Sequence, residues 1–225
     1  MTNRTTEDYI KAIYAIGKDG GRATTSALAD HLRLADASVT DMLKKLSDRG
    51  LATYERYQGA FLTPEGRSMA LKIVRRHRLW EMFLVRHLGY SWDKVHSEAE
   101  RLEHVTSDDL EERLDRALDY PTTDPHGDPI PSATGAVSAT DGIPLSEVEV
   151  GSHVSVCRVS DRDDQMLQHA ASIGIALATV VLVKERRPFD GSLIIEISGA
   201  DHFVSSTVAG AIFVTSCPEP AKEKV

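Results

Sequence analysis

Helical periodicity runs through the first half of this 225-residue chain and then stops. Up to Leu118 apolar residues recur every three or four positions, and after Leu145 short β-branched runs alternate with turn residues. Between them, from Pro121 to Pro144, lie five of the nine prolines together with Gly127, Gly135 and Gly142. A lone helical bundle and a lone sheet are both excluded, because neither accepts the other's side-chain repeat. The expected fold class is mainly α with β.

Asp8–Ile16 reads as a helix through Tyr9, Ile10, Ile13 and Tyr14. A short helix with Thr25 or Ser26 as its cap, a turn at Leu34–Asp36 and a third helix over Ala37–Arg49 follow, the last buried through Val39, Met42, Leu43 and Leu46 and ended by Gly50. Strands at Leu51–Tyr57 and Ala60–Thr63 turn at Gln58-Gly59, which completes a winged helix-turn-helix over 1–72. Pro64 opens a long helix that ends near Gly89; helices over Trp92–Val105 and from Ser107 to Leu118 build a second helical domain, 73–120. A Pro-rich linker spans 121–144. Five short strands and one helical turn near Met166–Ser172 predict a small SH3-like β-barrel over 145–217, with a mobile tail at 218–225.

The net charge of −8 argues against nucleic acid, but it conceals an asymmetry. Met1–Arg78 holds 14 Lys and Arg against 9 Asp and Glu, a balance of +5; the remainder balances at −13. Only the first third therefore suits DNA. Its candidate contacts are Thr25, Ser26, Ala37, Ser38, Thr40 and Asp41, with Lys44, Lys45, Arg56 and Tyr57. Short hydroxyl side chains let a helix approach base edges, and Lys or Arg reach phosphates. The first ten residues are polar, and the longest aliphatic run, Ile173–Val183, is too short to cross a bilayer, so a cytoplasmic protein with no membrane partner is expected. Cys157 and Cys217 make neither a disulfide framework nor a CxxC motif.

At about 100° per residue, His96, Glu100, Glu103 and His104 project from one helix face. His77 and Glu81, four apart, share a face of the preceding long helix. Antiparallel packing would gather three imidazoles and three carboxylates, a set that repels itself unless a divalent cation or water neutralises it. A metal site and a solvated polar stripe are the two readings, and a chelator separates them.

The runs TTEDYIKAIY (Thr5–Tyr14), LTPEGR (Leu62–Arg67), RRHRLWEMFL (Arg75–Leu84), KVHSEAERLEHVTSDDLEERL (Lys94–Leu114) and DPHGDPIP (Asp124–Pro131) resemble the diphtheria-toxin repressor family of metal-dependent transcriptional regulators. The resemblance implies that the second domain is a dimerisation domain. It also implies a primary metal site of Asp8, Glu100, Glu103 and His104, and a second of His77, Glu81 and His96. Some members add ligands from linker and barrel, here Asp124, His126 and Asp161, the last replaceable by Asp163, Asp164 or Gln165. Iron-responding members carry Met and Cys where this chain has Asp8 and Glu100, and the harder oxygen set suits Mn²⁺. Lys11 stands where small manganese regulators carry a further Glu. The expectation is a homodimeric, Mn²⁺-activated repressor of metal-uptake genes on a palindromic double-stranded operator, with no small organic substrate. The alternatives are an Fe²⁺-dependent repressor and a carboxylate-bridged dimetal enzyme.

Overall fold

The computed structural model describes residues 4–17, 21–140, 142–161 and 163–217. The first half forms α1 (Arg4–Ile16), α2 (Thr25–Leu32), α3 (Asp36–Asp48), β1 (Ala52–Glu55), β2 (Gly59–Leu62), α4 (Pro64–Leu88), α5 (His96–Leu102) and α6 (Asp108–Ala117). The second half forms β3 (Ile143–Pro144), β4 (His153–Val159), α7 (Asp164–Ser172), β5 (Val180–Arg186), β6 (Leu193–Ile197), β7 (Ala200–Val204), α8 (Ser206–Ala211) and β8 (Ile212–Ser216). The expected tail, 218–225, lies outside the described residues. Among the described residues no helix is long and apolar enough to cross a membrane.

The winged helix-turn-helix closes on Ile10 and Ile13 of α1, Leu28 of α2, and Val39, Leu43 and Leu46 of α3, all fully buried or nearly so. Thr24, rather than Thr25 or Ser26, caps α2: its Oγ1 accepts from the Ala27 N–H at 3.1 Å. Arg33 takes a left-handed conformation to end α2, and α3 begins at Asp36, one residue earlier than its pattern suggested. In the wing β1 and β2 pair antiparallel, and Ala23 bridges Ala60 beside them. That third chain explains Gly59, where a Cβ would stand 2.6 Å from the Ala23 carbonyl oxygen.

Helix α4 links the domains. Ala70 near its start belongs to the winged-helix core; Leu79 and Met82 pack with Leu114, Leu118 and Ile130, and Leu84 packs with Val95 and Ala99. The helix expected over Trp92–Val105 is shorter. It starts at His96 and tightens into a 3-10 turn at Glu103–Val105. The Thr106 hydroxyl donates to the Leu102 carbonyl at 2.7 Å, and Trp80 Nε1 donates to Thr106 Oγ1 at 2.7 Å, which closes the helix there.

The segment expected as a linker packs tightly over its first half. Arg75 Nη1 donates to the Pro131 carbonyl at 2.7 Å, Arg78 donates to the Pro129 carbonyl, and Ile130 enters the α4–α6 core. Asp124 Oδ1 accepts from the N–H groups of His126 and Asp128 at 2.8 and 2.9 Å, folding a turn whose three named side chains are buried. This strap also holds β4, because the Val159 N–H donates to the His126 carbonyl at 2.9 Å. Proline and glycine marked a change of direction here, not a loose connection.

The β-rich part is one antiparallel sheet, ordered β3-β8-β4-β5-β6-β7, curved by bulges near Cys157 and Lys184. Leu145, Val156, Val181, Val183, Leu193, Ile195, Ile212 and Val214 form its core, on which Trp92 of the helical part also packs. The last strand, β8, follows directly on α8, whose first turn is capped by Ser205. Cys157 and Cys217 are not joined in a disulfide.

Gly127 is where strap and sheet touch: its φ is +89° and a Cβ would fall 2.2 Å from the Cys157 carbonyl oxygen. Gly127→Ala should cost about 2 kcal/mol or more, combining left-handed strain with a backbone clash. A lowered denaturant midpoint measures it, and an unchanged midpoint would mean that the strap does not need this approach.

Candidate metal centre

Three elements meet at the seam between the winged helix and the helical domain. Burying Tyr9, Ile10, Ala12 and Ile13 turns the flank of α1 that carries Glu7, Asp8 and Lys11 toward α4 and the 3-10 turn. Of the four candidate ligands on this stretch, His96 and Glu100 lie in the regular part of α5, and Glu103 and His104 in the 3-10 turn that ends it. Glu103 turns inward to 1% exposure and His104 faces α1, while the Glu100 side chain stays half exposed.

In the first cluster His104 Nε2 stands 2.9 Å from Asp8 Oδ1 and 3.4 Å from Glu103 Oε1. Its other nitrogen, Nδ1, contacts Glu7 Oε2 at 2.7 Å. Asp8, Glu103 and His104 each place one ligand atom within 4.8 Å of the others. Glu100 is not with them. It pairs with His96 Nε2 at 3.6 Å. Glu7 was missed from the sequence, where it was one more acid on an N-terminal helix; a carboxylate on the far nitrogen of a ligand imidazole fixes ring and tautomer.

His77, Glu81 and His96 form a second cluster: His77 Nε2 lies 2.9 Å from Glu81 Oε1 and 3.0 Å from His96 Nδ1. The third shares Glu81. His126 Nδ1 lies 3.8 Å from Glu81 Oε2 and 3.9 Å from Asp124 Oδ1, all three residues being buried. The set expected as one second site is therefore two, on opposite oxygens of one carboxylate. Asp161, beyond β4, acts on Asp124 and Arg78 through its charge and is not within the third cluster's ligand distance.

Burial raises the carboxyls here, and their neighbours decide the outcome. Glu81 is pushed up by burial, yet the His77, His96 and His126 imidazoles outweigh this and hold it well below the ordinary range. Glu103 is likewise lowered, by His77 and Lys11 against burial. Asp8 is raised by burial despite His104 and Arg4, and Asp124 is raised strongly by burial and by the charge of Glu81. Buried Arg78, 3.2 Å from Asp124 and 3.4 Å from Asp128, partly offsets this.

The donors fit a divalent cation. His126 Nε2 donates to the Trp92 carbonyl at 2.7 Å, which leaves Nδ1 to face Glu81. That Nδ1 and the facing Glu81 Oε2 are both buried without a hydrogen-bond partner. Buried polar atoms are ordinarily paired, and a cation between these two would pair both.

The residues expected to meet DNA are largely exposed. Ala37, Ser38, Asp41, Lys44 and Lys45 are exposed on α3 and Thr40 is half-buried; Ser26 on α2 is exposed and Thr25 half-buried. Asp41 is neutralised by Lys44 at 3.3 Å. Tyr57 stands 89% exposed at the wing tip with Arg56 over its ring.

Comparison with known proteins agrees with this layout. Residues 1–60 match the family "Iron dependent repressor, N-terminal DNA binding domain", 63–132 match "Iron dependent repressor, metal binding and dimerisation domain", and 143–216 match the FeoA domain. The iron-dependent repressor IdeR of Mycobacterium leprae is 35% identical over 159 residues, 68% of this chain and 69% of that protein. The chain belongs to the diphtheria toxin repressor family of metal-dependent transcriptional repressors. A solved manganese-dependent transcriptional repressor in complex with manganese superposes with a TM-score of 0.87 at 41% identity, over 94% of this chain and 100% of that one. The manganese regulator SloR does so with a TM-score of 0.80 at 33% identity, over 96% and 100%. As a family member the chain is a repressor and not a dimetal enzyme, with operator DNA and a second copy of itself as partners.

In the metal-free repressor the His96–Glu100 pair carries a pH signature. Burial pushes His96 down, but its hydrogen bonds to Glu100 and Glu81 hold it at about 10 against an ordinary 6.5. The bond to His96 lowers Glu100 from 4.5 to about 2. A raised imidazole stabilises the fold fully below its unfolded value, and this is lost as pH rises; a lowered carboxylate stabilises it above its unfolded value, and this is lost as pH falls. With chelator present, stability should therefore decline from about pH 6.5 toward 10, and His96→Gln should flatten that limb in denaturant titrations. An equally steep decline in the variant would remove His96 as its source.

Proposed function

We propose that this repressor responds to Mn²⁺, held at the seam by Asp8, Glu103 and His104, with Glu100 as a fourth donor once it leaves His96. The observation that carries this is the 2.9 Å contact between Asp8 Oδ1, on the DNA-reading domain, and His104 Nε2, on the dimerisation domain. A divalent cation bound there would draw carboxylates of both domains onto one centre and tie the two domains at a set angle. Glu7 orients His104, and the buried core of α1 keeps Asp8 from swinging away. In a two-fold dimer the α3 helices are then spaced to match a palindromic operator, and metal and DNA strengthen each other's binding. Glu81 with Asp124 and His126, aided by Asp161, or with His77 and His96, would hold a further ion.

Carboxylate and imidazole donors, with no sulfur in any of the three clusters, support Mn²⁺. The manganese-dependent relatives support it as well. Fe²⁺ is the second reading, because nitrogen and oxygen donors bind it at least as tightly and the mycobacterial relative is named for iron. Genes of metal uptake are the proposed targets.

Asp8→Ala should give a folded dimer whose affinity for operator DNA no longer rises with Mn²⁺; gel retardation with and without the ion tests it, and undiminished stimulation would refute the bridge. Titration with Mn²⁺ and Fe²⁺ at matched free concentrations decides between the ions. On the DNA face, Lys44→Ala should weaken binding to all sequences and reduce the slope of log affinity against log salt by about 1, whereas a bulky residue at Thr40 should cost sequence discrimination. Equal loss from both changes on specific and random DNA would argue against α3 as the reading helix.

A further inference from the structure

Lys11 carries fixed positive charge into this carboxylate-rich seam. It comes from α1, one turn beyond Asp8, and its side chain is 19% exposed. Its Nζ lies 2.7 and 2.9 Å from the two oxygens of Glu103 and 3.1 Å from His77 Nδ1. An ammonium has three N–H donors and no acceptor, and this one meets both oxygens of a single carboxylate. His77 stands between two carboxylates, with Nε2 2.9 Å from Glu81 Oε1 and Nδ1 touching Glu103 Oε2, so the ring and the ammonium share Glu103 as acceptor.

Both Glu103 oxygens are thus engaged by a side chain of the DNA-reading domain, and the ammonium lies between the first and second clusters. An ion bound by Glu103 would sit beside the ammonium on the same carboxylate, so the two positive charges compete for it. Building on the seam as a metal site, we propose that Lys11 is an internal competitor for that ion: it neutralises Glu103 and holds the domains together without metal, and a divalent ion must displace it to bind. The competition weakens metal affinity and so raises the concentration at which the repressor responds. In exchange the metal-free seam stays docked.

Lys11→Met keeps length and removes charge. It should bind Mn²⁺ more tightly by about tenfold or more in calorimetric titration, since a like charge beside the ligands is gone. In chelator the same variant should unfold at lower denaturant than the parent. Equal or weaker Mn²⁺ binding overturns the proposal, as does equal stability in chelator. The parent protein supplies a test free of folding defects: displacement predicts that Lys11 is acetylated faster by an amine-reactive reagent when Mn²⁺ is added, as read by peptide mass spectrometry. Unchanged or slower labelling overturns it. Asp8→Ala distinguishes the underlying reading. If that variant binds Mn²⁺ like the parent, the seam is not the metal site and both proposals fall; if it loses Mn²⁺ while Lys11→Met matches the parent, only the competitor fails.

Discussion

Crowded negative charge at one buried seam organises this molecule. Asp8 and Glu7 come from the winged helix, Glu103 from the 3-10 turn and Glu81 from α4; Glu81 and Glu103 are fully buried, and Glu7 and Asp8 partly so. Their charge is answered by His77, His96 and His104 and by Lys11. Imidazoles and an ammonium are weak equivalents of a doubly charged ion: they neutralise, but they neither hold several oxygens in fixed geometry nor respond to the cell's metal supply. The surrounding fold can be understood as a frame that keeps acid groups from two domains within reach of one another.

Much of this was legible from residue types. The start of α4 at Pro64, the cap Ser107, the stop at Gly89 and the buried stripes of α1, α3 and α4 follow from side-chain chemistry that acts within a turn or two. The grouping of Asp8 with Glu103 and His104 was reached through resemblance, and spacing alone could not have supplied it, since nearly a hundred residues separate the partners. Glu100 keeps the helical angle to His96 that its spacing gives and pairs with it; what spacing does not give is which neighbour a half-exposed carboxylate turns to. Glu7 and the strap were hidden for the same reason: an acid on an N-terminal helix and a Pro-rich stretch look alike whether solvated or buried until the partners across the fold are known.

The charge asymmetry along the chain also takes on physical sense. Basic residues of α3 and the wing tip, Lys44, Lys45 and Arg56 among them, are exposed on the domain that matches a DNA-binding family model. Arg75, Arg76 and Arg78 on α4 belong to the basic third by sequence but not by role. They are tied to Glu111, Asp108, Asp115, Asp124 and Asp128 and brace α6 and the strap.

The strap has a consequence for how separable this chain is. It contributes Asp124 and His126 to a cluster anchored on α4, hydrogen-bonds through His126 to both Trp92 and β4, and lets Trp92 reach the core of the sheet. Cutting the chain after α6 would strip Arg75 and Arg78 of backbone acceptors and bare Ile130's place in the helical core. The two halves are distinct in pattern and interlocked in bonding, so the β-rich domain is no removable appendage: a genome could lose it only by redesigning one flank of the helical half.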